Sequence, residues 1–190
     1  MRASTPPRAV ALVGMPGAGK SLCAQHLQAR GFFQFRFGGI IVAEVERRGL
    51  PLTPDNERIV REEFRRQEGM DAIARRALPH LLEALKTRQT VIIDGLYSFS
   101  EYMTLRPVLG SDMIIIAVAC DRAIRYQRLA SRPERPLTYA EAEARDLREV
   151  EKLEKGGPIA LADYTLLNND DPADLLRTLD ALLNRLGIAP

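Results

Sequence analysis

Several residue types that often carry chemistry are scarce in this sequence. It has no Trp, only two Cys and only two His in 190 residues. Neither Cys23 nor Cys120 has a second Cys or a His at metal-binding spacing, so we expect no Cys/His metal site. Both cysteines stand in apolar runs and are interpreted as buried free thiols of a reducing compartment. His26 and His80 stand alone on predicted helices and are interpreted as structural.

The sequence also lacks a long apolar run and a strong charge of either sign. No stretch reaches membrane-spanning length, and the apolar run before the first glycines is too short for a signal peptide, so we expect a cytoplasmic protein without a membrane partner. The formal net charge is +2 and aromatic residues make up 6%, which argues against a nucleic-acid partner. Lys occupies only four positions, and we attribute the resulting excess of Arg mainly to overall composition.

Buried strands alternate with helices along the chain, and 46% of the residues are hydrophobic. This pattern predicts an α/β fold of one domain, in which helices cover both faces of a parallel sheet. Apolar runs predict strands at 8–14, 90–95, 112–120 and 164–169, with a candidate short strand at 32–37. Helices are predicted at about 20–30, after the Ser98–Glu101 capping box, at about 121–131, from the Thr138–Glu141 capping box to Gly156-Gly157, and after Asp171-Pro172. The segment 40–87 is predicted to be helical in pieces, with breaks at Gly49 and Gly69, an N-cap at Thr53-Pro54 and a kink or a helix start at Pro79.

The most specific motif is the glycine-rich segment GMPGAGKS at 14–21. It fits G-x-x-x-x-G-K-[ST] and lies between a predicted strand and a predicted helix, the context in which backbone N–H groups wrap nucleotide phosphates. A chance glycine turn is the alternative interpretation. We expect Lys20 to contact the β- and γ-phosphates of ATP and Ser21 to bind Mg²⁺. The predicted nucleotide contacts in this segment are Gly14, Pro16, Gly17, Ala18, Gly19, Lys20, Ser21 and Leu22.

Asp94 ends the third predicted strand, at the sheet edge where doubly wound folds bind ligands. We expect its carboxylate to bind Mg²⁺ or a water of the ion, although an Asp that caps the turn at Gly95 is the alternative.

An arginine-rich segment follows the strand at 112–120. Arg125, Arg128 and Arg132 have helical spacing, and Arg135 follows in a proline-rich loop. Guanidinium groups on a mobile lid stabilise the charge of a transferring phosphoryl group, so Arg128 and Arg132 are predicted lid residues. A solvated basic helix face is the alternative. The charged residues of 141–155 are interpreted as an exposed helix with i,i+4 pairs.

Together these motifs give the chain a family resemblance. It resembles P-loop nucleoside-monophosphate kinases, and more closely dephospho-CoA kinase and its uncharacterised adenylate-kinase-like relatives. The resemblance runs from about Arg8 to Leu186. The segments that carry it are GMPGAGKS, RRGLPLTPDNERIVREEFRRQEGMDAIARR, VIIDGLYSFSEY, RYQRLASRPER and IALADYTLLNN.

The resemblance implies a three-layer P-loop fold with a five-stranded parallel sheet, a helical acceptor flap and an arginine lid. The single domain would span 1–190. Its core would comprise 8–37, 89–125 and 157–187, with the flap at about 38–88 and the lid at about 126–156. The loop at Asn168 and Asn169 would lie beside the adenine. Lys20, Asp94, Arg128 and Arg132 would be the catalytic residues.

The chain departs from these relatives in the half that binds the acceptor. Where they carry an Asp and an Arg after the second strand, this chain has Gly39 and Val42, and Tyr97 stands where they often have Arg. Other basic residues of the flap, such as Arg36, Arg47, Arg58 and Arg61, are candidates to replace them.

The resemblance therefore predicts an ATP- and Mg²⁺-dependent phosphotransferase that acts on a small nucleotide-like or coenzyme-like acceptor. The alternative is a nucleotide-binding regulatory switch that has lost its acceptor chemistry and acts through a protein partner. A nucleic-acid end-processing enzyme has little support. The identity of the acceptor, ATP against GTP, and the oligomeric state stay open at this point.

Overall fold

A single parallel sheet organises the fold. The computed structural model describes residues 8–133 and 135–190; the predicted domain and lid also include residues outside these ranges, namely 1–7 and 134. The strand order is β2-β3-β1-β4-β5, and every neighbouring pair is parallel. The strands are β1 (Arg8–Val13), β2 (Phe33–Arg36), β3 (Thr90–Asp94), β4 (Met113–Ala119) and β5 (Tyr164–Leu167). The predicted α/β class with a five-stranded parallel sheet is therefore confirmed.

Helices cover both faces of this sheet. They are α1 (Lys20–Ala29), α2 (Gly38–Arg47), α3 (Pro54–Glu68), α4 (Ala72–Thr87), α5 (Phe99–Leu109), α6 (Arg122–Ser131), α7 (Tyr139–Glu151), α8 (Gly156–Ala160) and α9 (Pro172–Arg185). Alternate residues of each strand point to opposite faces. In β1, Val10 and Leu12 pack with α1 and α9, whereas Ala9 and Ala11 pack with α2 to α5. The alternation produces two separate cores, which gives three layers.

The segment between β2 and β3 folds into three helices, as the glycines and prolines predict. Gly49 has φ +65 after the end of α2, and Gly69 is the C-cap of α3. The Thr53 side chain caps α3 by accepting a hydrogen bond from the Asn56 N–H, with Pro54 in the first turn. Pro79 lies inside α4, so it neither starts nor ends a helix there.

The helix predicted to run from Thr138 to Gly156-Gly157 is shorter than expected. Its capping box is present, but α7 ends at Glu151, and a loop that contains Glu154 at φ +53 leads into α8. Nor is α7 uniformly exposed, since Asp146 and Glu149 are buried.

Within the described ranges, no helix combines the length and the apolar character that crossing a membrane requires.

The buried Asp146 joins α7 to α6 and to the glycine-rich loop. Both of its carboxylate oxygens accept hydrogen bonds from Arg125, at 3.1 and 2.6 Å, and Oδ2 also accepts one from the Tyr126 hydroxyl at 3.2 Å. The same Arg125 guanidinium donates to the Pro16 carbonyl at 2.9 Å. One buried guanidinium therefore holds three segments of the chain together.

We expect Asp146→Ala to destabilise the fold by about 3–5 kcal/mol, because it leaves the buried guanidinium of Arg125 without a counter-charge. Glu143→Ala on the same helix is the matched control. It removes only an exposed 3.8 Å pair with Arg122 and should cost less than about 1 kcal/mol. Denaturant unfolding measures both free energies, and equal losses would contradict this account of Asp146.

Candidate active site

The glycine-rich loop between β1 and α1 packs against three other parts of the chain. A Cβ at Gly14 would clash with the Val118 carbonyl oxygen, one at Gly17 would lie 2.8 Å from the Arg125 carbonyl oxygen, and one at Gly19 would clash with the side-chain amide of Asn168. Gly14, Gly17 and Gly19 also have φ of +147, +79 and +112. Glycine is needed at these positions both for the backbone conformation and for the close approach.

Two side chains hold the loop from outside. Asn168, which follows β5, donates from Nδ2 to the Ala18 carbonyl at 2.7 Å, and Arg125 bonds Pro16 as described above. The loop leads into α1, whose first turn contains no acidic residue. The N-terminal end of α1 therefore keeps its positive partial charge, which favours a phosphate there.

A cleft of about 450 Å³ opens beside the loop. Pro16, Gly17, Lys20 and Ser21 form one side of it, and side chains from α3 and α7 form the other. Six cationic side chains line it against one carboxylate, that of Glu149; the six are Lys20, Arg61, Arg65, Arg132, Arg145 and Lys155. Such a concentration of positive charge in a concave site favours polyanions such as a nucleotide triphosphate.

Lys20 lies at the base of this cleft. Its ammonium donates to the carbonyls of Gly14 at 2.7 Å and Met15 at 3.0 Å. Burial, followed by the nearby ammonium of Lys155, lowers the pKa of Lys20 to about 7. An anion beside Lys20 would favour its charged form and raise that pKa.

Lys155 is a second lysine in the cleft, and it is 4% exposed. Its ammonium pairs with the buried Glu149 carboxylate, which also accepts a 3.0 Å hydrogen bond from Arg145. Lys155 also lies 4.8 Å from the centre of the Tyr97 ring. Although burial disfavours a charged carboxyl, Lys155 and Arg145 hold the pKa of Glu149 below its usual value.

The loop before Lys155 is fixed against α5. Glu154 has φ +53, which is unusual for a residue other than glycine, and its carboxylate accepts a 3.1 Å hydrogen bond from the Ser100 hydroxyl. A Cβ at Gly157 would lie 2.7 Å from the Phe99 ring. Backbone conformations of this kind are kept where the surroundings enforce them, often at functional sites. These contacts fix the position from which Lys155 enters the cleft.

A smaller pocket of about 140 Å³ adjoins the cleft beyond the end of β3. Arg61, Arg65 and Tyr97 line both cavities. Asp94 and Glu101 line only the smaller one. The two cavities therefore meet at Arg61, Arg65 and Tyr97, with the glycine-rich loop on one side and two carboxyl groups on the other.

Known proteins share this arrangement of sheet and loop. A model of the family described as "AAA domain" matches residues 10–153. A UPF0200 protein of Thermococcus sibiricus is 36% identical over 182 residues, which cover 94% of this chain and 95% of that protein. The chain belongs to the UPF0200 family of AAA-domain proteins.

Solved structures with the same fold include P-loop kinases. TT1252 from Thermus thermophilus matches with a TM-score of 0.65 and 21% identity, over 96% of this chain and 99% of that one. Shikimate kinase from Bacteroides thetaiotaomicron matches with a TM-score of 0.59 and 15% identity, over 93% and 98%. At such identities the similarity shows the fold alone, so this UPF0200 chain has a P-loop kinase-like fold.

The structure brings some of the predicted catalytic residues together and separates others. Lys20, Ser21 and Arg132 line the cleft. Asp94 lines the smaller pocket, 3.6 Å from Arg36. Arg128 does not line the cleft, because its guanidinium donates to the Asn168 carbonyl at 2.8 Å. Arg132 lies beyond the end of α6 at Ser131, so the helical spacing that would place it on the same face as Arg128 does not apply.

The remaining predicted residues lie around the glycine-rich loop. Leu22 packs into the core that contains α1 and α9. Asn169 accepts a 2.8 Å hydrogen bond from the Asp121 N–H through its side chain, so it fixes the loop after β5 to the start of α6. Cys23 is buried as predicted, but Cys120 is only half-buried and accepts a weak hydrogen bond from Arg128. His26 has a partner after all, Asp180 at 2.9 Å.

Sequence reasoning missed several residues that line the two cavities. Arg65, Glu101, Arg145, Glu149 and Lys155 were either unremarked or assigned to helix caps and exposed pairs. Apolar spacing gave no signal for Glu149, because the buried face of α7 consists of Ala142, Asp146 and Glu149, whereas the apolar Leu147 and Val150 are exposed. Arg61 had been named among the candidate flap residues.

The protein groups available to Mg²⁺ are few. The Ser21 hydroxyl and the Asp94 carboxylate are oxygen ligands of the kind Mg²⁺ prefers, and the ion is usually held by one or two such groups together with substrate phosphates. Among the described residues, no cluster of three or more His, Cys, Asp or Glu could hold a metal alone. The donor set therefore fits Mg²⁺ carried by a nucleotide.

We expect Lys155 to donate a charge-assisted hydrogen bond to the terminal phosphate of ATP. Lys155→Met should therefore weaken ATP binding by about tenfold or more and ADP binding by less. Lys152→Met is the matched control, since Lys152 is exposed in the same loop and does not line the cleft. Calorimetry with each nucleotide measures the dissociation constants.

A Glu149→Gln/Lys155→Met variant separates this effect from the repulsion of an unpaired Glu149 carboxylate. If the double variant binds ATP as tightly as wild type, Lys155 only neutralises Glu149 and does not contact phosphate.

Proposed function

We propose that this UPF0200 chain is an ATP- and Mg²⁺-dependent phosphotransferase that moves the γ-phosphoryl group to a small-molecule acceptor. One observation carries the proposal: the cationic cleft beside the glycine-rich loop adjoins a second pocket that contains two carboxyl groups. A protein that only binds a nucleotide needs the first cavity. The second gives an acceptor a place beside the terminal phosphate, which is what transfer requires. The shared arginines, Arg61 and Arg65, lie where the two substrates would meet.

Each group around the cleft has a role in this reaction. The loop N–H groups and Lys20 bind the β- and γ-phosphates, and Lys155 and Arg132 offset charge on the transferring group. When bound, Mg²⁺ would be held by Ser21 and the nucleotide phosphates, with Asp94 binding a water of the ion, and would neutralise phosphate charge. Because Arg132 follows the end of α6, it lies on the segment predicted to close as a lid.

The transfer step needs no reagent besides ATP and the acceptor. The acceptor hydroxyl oxygen forms a bond to the γ-phosphorus, while the bond from that phosphorus to the bridging oxygen breaks. The bridging oxygen leaves with the electron pair as part of ADP. The hydroxyl proton passes to the Asp94 carboxylate, which lines the acceptor pocket. Placement and charge neutralisation therefore supply most of the catalysis.

The fold supports the same proposal. Shikimate kinase, whose name states transfer to a small molecule, has this fold over nearly its whole length. The nucleotide-like or coenzyme-like acceptor that the sequence resemblance implies stays a prediction, because Gly39 and Val42 replace the groups that would bind it. We prefer a kinase to a regulatory switch because Asp94 and Glu101 supply carboxyl groups where the acceptor would lie.

We expect Lys20→Ala to reduce phosphoryl transfer by about 10²-fold or more, because it removes a cation that binds the transferring phosphate. Purified protein is incubated with Mg²⁺, radiolabelled ATP and a metabolite mixture, and labelled products are separated. Lys86→Ala is the control, since Lys86 is exposed on α4, pairs with Glu83 and lines neither cavity. Tight ATP binding without transfer to any nucleotide, coenzyme or metabolite would reject the kinase and favour the switch.

A further inference from the structure

The smaller pocket has a lining that restricts what the acceptor can be. Phe37, Ile41 and Ile73 supply apolar walls, and five charged side chains also line the pocket. These charged groups are Arg36, Arg61, Arg65, Asp94 and Glu101. A site with both cations and carboxyl groups selects a ligand that presents an anion to the first and hydrogen-bond donors to the second.

Two buried polar atoms here have no hydrogen-bond partner within the described residues. Glu101 is 0% exposed. Its Oε2 accepts hydrogen bonds from the backbone N–H groups of Tyr97 and Ser98 at 2.8 and 3.0 Å, but Oε1 has no partner. Arg65 Nε is also unpartnered.

These two side chains do not satisfy each other. Arg65 Nη2 lies 3.9 Å from Glu101 Oε1, which is beyond hydrogen-bond range. Buried polar groups are rarely left unpaired unless a ligand or a function uses them. Both side chains line the pocket, so a ligand in it can supply a donor to Oε1 and an anion to the guanidinium.

We infer that the phosphoryl acceptor is a compact polyol that carries an anionic group, either a carboxylate or a phosphate. Arg61 and Arg65 bind the anion, Glu101 accepts a hydrogen bond from one hydroxyl, and the reacting hydroxyl lies beside Asp94. This inference rests on the proposed function and specifies its second substrate. The transfer step is the one given above, with the polyol hydroxyl as the attacking group.

The size of the pocket argues against a nucleotide acceptor. At about 140 Å³, it is smaller than the ≈ 300–1,000 Å³ typical of sites for drug-sized ligands. A sugar acid or sugar phosphate has the size of one ribose with its charged group, whereas a nucleoside monophosphate adds a base. That base would have to extend out of the smaller pocket, into the adjoining cleft or into the cavity between α3 and α7.

Direct binding tests this inference without any transfer reaction. Calorimetry in the absence of nucleotide compares four ligands on one carbon skeleton: D-ribonate, D-ribose 5-phosphate, D-ribose and AMP. We expect one or both of the anionic polyols to bind at least about tenfold more tightly than D-ribose and AMP. Ribonate and ribose 5-phosphate distinguish a carboxylate from a phosphate as the recognised anion.

Matched variants assign the binding to this pocket. Arg65→Gln should weaken binding of the anionic polyol by about tenfold or more, whereas Arg66→Gln should leave it unchanged, because Arg66 is exposed on the same helix and lines neither cavity. Circular dichroism checks that each variant folds. Arg61→Gln replaces Arg65→Gln if the latter does not fold.

The inference is overturned if D-ribose or AMP binds as tightly as the anionic polyols, if none of the four binds, or if Arg66→Gln weakens binding as much as Arg65→Gln. ATP binding to wild type is measured separately. If ATP does not bind, the proposed function fails. If ATP binds and the polyols do not, only this inference fails.

Discussion

The structure depends on the close packing of one loop backbone against the carboxyl edge of the sheet. The loop at 14–19 can take its path only because glycines let it approach β4, α6 and the residues after β5. Arg125 and Asn168 then hold two of its carbonyls. Since Arg125 also pairs with Asp146, the position of α7 is linked to the shape of the loop. The element that carries Glu149 into the cleft is therefore positioned by the same contact that shapes the phosphate-binding backbone.

The second constraint is electrostatic. Six cations around one cleft repel each other and lose hydration, so their burial is costly unless anions oppose them. Glu149 supplies one such anion to Lys155 and Arg145, and Asp146 supplies another to Arg125. Burial lowers the pKa of Lys20 to about 7, and the nearby Lys155 ammonium contributes, so the carboxylates around the cleft do not offset these two effects fully. A polyphosphate would complete that balance, which links the stability of the cleft to its ligand.

The features that the sequence predicted depend on neighbouring residues, whereas the features that it missed depend on contacts between distant parts of the chain. The strands, both capping boxes, the breaks at Gly49 and Gly69, and the loop at 14–21 follow from neighbours within a few residues, and the structure has them all. The inward face of α7 was missed because Asp146 is buried by a partner 21 residues away, and a charged helix with i,i+4 spacing looks solvent-exposed. The sequence identifies Glu101 only as part of a capping box. Capping uses one carboxylate oxygen, Oε2, and nothing in the sequence indicates that the other, Oε1, is buried without a partner among the described residues.

In the proposed function, the carboxyl and guanidinium groups that bind the acceptor lie on other elements than in the relatives that the sequence resembles. The relatives that the sequence resembles place an Asp and an Arg after the second strand, where this chain has Gly39 and Val42. Packing does not require glycine there, because a Cβ at Gly38 or Gly39 would meet nothing within 4 Å and neither has positive φ. Under the proposed function, the carboxyl and guanidinium groups would come instead from the end of β3, from α5 and from α3, as Asp94, Glu101 and Arg65, which line the smaller pocket. The glycines at the start of α2 leave space beside Gly38 in the pocket. In the proposed reaction, the groups on the other walls would then determine which acceptor fits.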